Sequence, residues 1–221
     1  MLYAGPTIAD ALRHMRQLLA LCLVSACSTA PTGAEPAQPS SVRERLATAT
    51  RLLVAPGAST GAITVGHYSD GAWRSSRVAL PIESGELVAS ADPASGGIVV
   101  ARFGLGLAPL ALPIHDDTQL THVRLTLGAA TPAETTWQGE DAATARASLR
   151  LTLSWSLTVA SGTSPLSDQQ FPAVPIELAL AGDGEMVDGT LTVAAPGKLW
   201  SWADLVELDD LSLTLAAATT E

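Results

Sequence analysis

Imidazole and carboxylate side chains together form the ligand set of zinc and similar ions. The chain gathers them once, at His115-Asp116-Asp117 with His122 close behind. Their spacing matches no established metal motif, and His122 falls on the polar side of an alternating segment while the other three sit in the loop before it. A solvated loop is the simpler reading of all four. Asp183, Glu185 and Asp188 stand in a glycine-rich turn, where carboxylate oxygens could hold calcium. There too a plain hairpin turn is the simpler reading, so no metal is expected.

Catalytic motifs are scarce. The sequence has no G-x-S-x-G elbow, no glycine-rich phosphate loop, no H-E-x-x-H and no C-x-x-C. Neither an enzyme nor a cofactor is expected. Five tryptophans, Trp73, Trp137, Trp155, Trp200 and Trp202, raise the idea of an aromatic platform for sugars. Against that, Trp155 lies on the apolar face of the longest alternating run, and Trp200 and Trp202, with Leu199 and Leu205 nearby, fit better as a plug at the end of a core.

The elements that would position these residues are strands. From Ala145 to Val159, Leu149, Leu151, Leu153, Trp155, Leu157 and Val159 alternate with Ser148, Arg150, Thr152, Ser154, Ser156 and Thr158. A helix would scatter the polar residues around its circumference, whereas a strand puts one set in the core and the other in water. At about 3.3 Å per residue this strand approaches 50 Å. Ile63 and Val65 begin a hairpin that turns at Ser69-Asp70-Gly71 and returns from Trp73 to Leu80. Glu86–Ala91 and Ile98–Leu107 form a second hairpin, and Gln119–Leu127 is the next strand. Ile176–Leu180 and Val187–Val193 pair around Gly182-Asp183-Gly184, and Leu211, Leu213 and Leu215 mark a final strand, with a helical turn expected at Ala203–Leu208.

The expected fold is therefore all-β: an antiparallel β-sandwich or a curled, partly open barrel of about nine strands, with one short helix at each end. Residues 41–56 stay open between two structures. Ser41-Val42-Arg43-Glu44 has the capping-box pattern of a helix start, while Leu52-Leu53-Val54 reads as a strand. A continuous aliphatic face must be covered by another sheet or by a ligand, so Leu149, Leu151, Leu153, Trp155 and Leu157 are also candidates to line a lipid cavity. Gly104 and Gly106, alternating with Phe103, Leu105 and Leu107, mark a sharp bend or a close approach.

Ahead of the domain lies an address. From Met15 the chain runs from a basic residue through an apolar stretch, Leu18 to Ala26, that is half the length a spanning helix needs. It ends in Val24-Ser25-Ala26-Cys27, which resembles the lipobox of bacterial lipoproteins in every position. That resemblance implies recognition of Val24, Ser25 and Ala26 by the signal peptidase, cleavage before Cys27, and lipidation of the Cys27 thiol. Two or three acyl chains give lasting attachment, since each buried methylene adds about 0.8 kcal/mol. Ser28, in place of Asp, implies delivery to the outer membrane of a double-membrane cell envelope, on its periplasmic or surface side.

The divisions follow. Residues 1–14 are an upstream extension before the true start, 15–26 the signal peptide, 27–40 the lipidated cysteine and a flexible tether, and 41–221 a single β-rich domain. The stretch Ser28–Ser40 carries no aliphatic side chain larger than alanine and reaches roughly 40 Å when extended. Loss of residues 1–26 removes Asp10, Arg13 and Arg16, leaving ten basic against twenty-one acidic side chains and a formal charge of −11. Phosphate backbones need Lys and Arg for neutralisation, so nucleic acid is excluded as a partner. The membrane, through the lipid, is the expected partner, with an envelope protein or an apolar ligand beyond it. The sequence reading is a non-enzymatic, membrane-anchored binding or envelope-structural module, with a lipid or apolar-ligand carrier as runner-up and a carbohydrate-binding module or metal-dependent hydrolase third.

Overall fold

Unbroken alternation of leucine with polar residues commits a long strand to one wet and one dry face, and the rest of the chain arranges itself to cover the dry one. The computed structural model describes residues 41–113, 117–182, 186–202 and 205–220. A helix α1 (Val42–Leu46) comes first, then β1 (Thr50–Val54), β2 (Thr60–Ser69), β3 (Ala72–Ala79) and β4 (Ile82–Ala91). There follow β5 (Ile98–Leu107), β6 (Leu110–Ala111), β7 (Gln119–Leu127), β8 (Thr131–Trp137) and the long β9 (Ala142–Val159). The last four are β10 (Gly162–Pro165), β11 (Gln169–Gly182), β12 (Val187–Trp202) and β13 (Val206–Thr219).

Eight strands close on themselves in the order β1-β4-β5-β7-β9-β11-β12-β13, and β13 returns to β1. Every pairing is antiparallel, and the closing seam matches Leu52 with Thr219, Leu53 with Ala218 and Val54 with Ala217. Five strands lie outside this ring. β2 continues along β13 where β1 stops, and β3 pairs with β2. β8 takes over from β7 between β5 and β9, while β6 and β10 are short partners of β7 and β9.

The interior is leucine-rich and packed. Leu149, Leu151, Leu153 and Trp155 are all buried among Phe103, Leu125, Leu178 and Leu191. An eight-stranded barrel is just wide enough for side chains to fill it. One fully apolar cavity of about 20 Å³ remains beside Trp155 and Leu153. Against the rim, α1 buries Val42 and Leu46 completely. The Ser41 hydroxyl accepts the Glu44 backbone N–H at 3.2 Å, and the Arg43 N–H donates to the Glu140 carbonyl at 3.0 Å. At the other rim Trp200 meets Trp155 edge to face with ring centres 5.3 Å apart.

Outside, β9 presents Arg146, Ser148, Arg150, Thr152 and Ser154, all on the face opposite its leucines. A barrel that spans a bilayer has the reverse pattern, with an apolar outer band and a polar lumen. This wall is built for water.

The structure amends several expectations. The sheet is a closed barrel, neither a sandwich nor partly open, because β1 supplies the strand that joins β13 to β4. Thirteen strands replace nine: β1 lies in the segment left open between helix and strand, and β6, β8 and β10 carry little or no apolar alternation, β8 alternating half-buried with exposed residues throughout. Of the two terminal helices expected, only the N-terminal one is present among the described residues. Val206 and Leu208, where a helical turn was expected, pair as strand with β2 on one side and β12 on the other. Residues 41–56 adopt both alternatives in succession, helix to Leu46 and strand from Thr50. Residues 1–40, with the expected leader, Cys27 and the expected tether, lie outside the described residues.

Leu52 is fully buried at the seam, and the Cβ of an alanine at Gly189 would lie 3.1 Å from its methyl group. Leu52→Ala is expected to lower unfolding free energy by about 2–5 kcal/mol in a chemical denaturation experiment.

Candidate functional site on the outer wall

Most of the residues singled out as metal ligands fall where the structure is silent. His115, Asp116, Asp183 and Glu185 lie outside the described residues; Asp117, His122 and Asp188 are exposed. Among the described residues no three His, Cys, Asp or Glu side chains are placed to hold a metal ion. The tryptophans are dispersed as well. Trp155 is buried, Trp200 packs on it, and Trp137 donates its indole N–H to the Gly96 carbonyl at 3.0 Å beneath the Arg43 guanidinium. Trp73, paired across the hairpin with Tyr68, lies over Gly66, where a Cβ would fall 2.7 Å from the indole. The leucines of β9 line a filled core, not a lipid cavity: about 20 Å³ compares with roughly 300–1,000 Å³ for ordinary ligand pockets.

What β5 does supply is a floor. Phe103, Leu105 and Leu107 point inward, so Gly104 and Gly106 face out and leave a strip of bare backbone. Gly104 lies in register between Glu86 of β4 and Thr126 of β7, and Gly106 between Ser84 and Arg124. The missing side chains open a groove of about 920 Å³ along the outer wall. On one side Glu86 is held by Arg51 at 2.8 Å and Arg102 at 3.5 Å. On the other, Arg124 forms no ion pair among the described residues.

A bulge in β7 shapes that second side. Between the pairs Thr121–Ser156 and Arg124–Ser154, two residues of β7, His122 and Val123, lie opposite one of β9, Trp155. His122 occupies the extra position with φ 53°, the left-handed region that few side chains enter and histidine enters more readily than most. The result is that Leu120 and Val123 both point inward although three residues apart, and Thr121 and His122 both reach the groove. The Thr121 hydroxyl contacts His122 Nδ1 at 3.3 Å and the Thr158 hydroxyl at 2.9 Å, and Thr158 contacts Thr163 at 2.9 Å. The imidazole therefore leads into a row of hydroxyls. Among the described residues the imidazole meets the Thr121 hydroxyl and no carboxylate.

Sequence reading placed His122 on the polar face and noted the two glycines, but missed Arg124, Glu86 and the threonine row. The break in alternation between Leu120 and Val123 was the available signal.

Two carboxyls outside the groove are perturbed: hydrogen bonds from the Ser95 hydroxyl and the Ala94 N–H lower Asp92 below the ordinary carboxylate value, and Asp209 moves the other way. Partial burial, then Glu207 and Asp210, raises Asp209 above the ordinary carboxylate value, and Lys198 opposes them. Asp209 sits beside a bulge where the Gly197 N–H donates to Asp210 at 2.7 Å, and Lys198 pairs with Glu207. Partial burial first, and like charges crowded at a bulge second, account for the shift.

Comparison with known proteins finds no family model, no curated protein and no solved structure that matches this chain.

Because folding raises the Asp209 value, the native state holds its proton to higher pH than the unfolded chain, and stability falls as pH rises through that window. Asp209→Asn is expected to raise the melting temperature at neutral pH and to leave it unchanged well below the carboxylate range, as read by thermal denaturation at both pH values.

Proposed function

We propose that the protein is a lipid-anchored, non-enzymatic module of the bacterial cell envelope that presents a binding surface on the outer wall of its barrel. The supporting observation is the polarity of the barrel: leucine inside, Arg146, Arg150 and the threonines outside. Such a wall has no affinity for hydrocarbon, so attachment to a membrane falls to a separate device, which the Val24-Ser25-Ala26-Cys27 tetrad supplies by its resemblance to a lipobox. Delivery to the outer membrane follows from Ser28 in that same resemblance. A carrier of apolar ligands would need an open interior, and the core offers too little room for an acyl chain.

Recognition on this reading belongs to the exterior, and the groove over Gly104 and Gly106 is its place. Among the described residues the His122 imidazole meets the Thr121 hydroxyl and no carboxylate, which favours binding over turnover on this reading.

The experiment is fractionation of cells expressing the full chain. Cys27→Ser should leave an uncleaved, unlipidated precursor of lower mobility and remove the protein from detergent-extracted membranes. Unchanged processing and unchanged membrane recovery would overturn the anchored reading.

A further inference from the structure

We infer that the groove across Gly104 and Gly106 binds a saccharide bearing an anionic group, a uronate or a sugar phosphate. This deepens the binding-module reading above and rests on it.

Gly104 is a glycine that the fold does not require. It has no positive φ, and a Cβ placed on it would meet nothing within 4 Å. A side chain there would fit, and a β-branched one would favour the strand, since mid-strand glycine weakens a sheet. The position instead keeps backbone exposed between Glu86 and Thr126. Gly106 next along the same face extends the strip, under Ser84. A ring can rest on such a floor without meeting a side chain at Gly104.

The walls indicate what kind of ring. Thr121, Thr158 and Thr163 offer a row of hydroxyls, each able to donate and accept, which suits a ligand rich in hydroxyls of its own. Arg124 pairs in register with Gly106, lines the groove and has no acidic partner among the described residues, and His122 lines the same groove from a left-handed backbone. On a chain with far more acidic than basic side chains, an unneutralised guanidinium beside an imidazole is a local site for an anion. Glu86 faces them across the floor, but Arg51 and Arg102 already neutralise it, leaving its oxygens to accept ring hydroxyls. Anion at one side and hydroxyls along the rest describe an acidic sugar.

The test is calorimetric titration of the mature full-length protein with glucuronate, galacturonate and glucose 6-phosphate, and with glucose and inorganic phosphate to separate the two halves of the ligand. At least one acidic sugar should bind, with glucose and phosphate each about tenfold weaker or more. Gly104→Val should abolish binding without lowering the melting temperature, and Arg124→Ala should weaken it about tenfold or more at unchanged stability. Silence from all three acidic sugars, equal binding of glucose, or undiminished binding by Gly104→Val would each overturn the inference. The Cys27→Ser chain should bind the same sugars as the lipidated one, so a failed anchor and an empty groove give different results.

Discussion

Closure of the ring between its first and last strands is the constraint on which the rest of the architecture depends. Three residue pairs, Leu52 with Thr219, Leu53 with Ala218 and Val54 with Ala217, remove the open edge that an eight-strand sheet would otherwise expose. Once the ring closes, its interior volume is set, and every inward side chain must fit that volume. Gly189 in β12 shows the accommodation: it lies against Leu180 and Leu52, where a larger residue would displace the seam. Bulges in β5, β7, β11, β12 and β13 let long strands bend around this core while keeping leucines inward on both sides of each break.

Much of this was legible wherever a strand had one greasy face. β9 and β13 could be read from leucines at every second position, and the first two hairpins from their turn residues. β8 could not, because Thr131, Ala133 and Thr135 give its inner side almost no hydrophobic contrast. β1 was ambiguous for a different reason: the capping pattern at Ser41 and the aliphatic run at Leu52 belong to separate elements three residues apart. Closure itself leaves no mark in local pattern, since the partners at the seam are more than 160 positions apart. Hence the sequence reading reached an all-β antiparallel sheet but not a complete ring.

The groove was less legible than the fold. Each of its residues is ordinary alone, a threonine, an arginine or a glycine on a wet strand face. Their meaning comes from register, which sets Glu86, Gly104 and Thr126 side by side, and Ser84, Gly106 and Arg124 in the row next to them. The bulge at His122 was readable only as a fault in periodicity, and such a fault can equally mark the end of a strand. Side chains more conspicuous in sequence, the tryptophans above all, turned out to serve packing at the rims and over Gly66.

Joining the earliest strand to the latest also governs when the molecule can exist. A chain emerging from synthesis or from a secretion channel cannot complete its ring until Ala217–Thr219 has arrived beside β1. Until then two strand edges stay exposed to any neighbour, and the entropy of bringing such distant segments together must be overcome in one late step. A nascent chain of this design gains its sealed, edge-free form only once its last strand is in place.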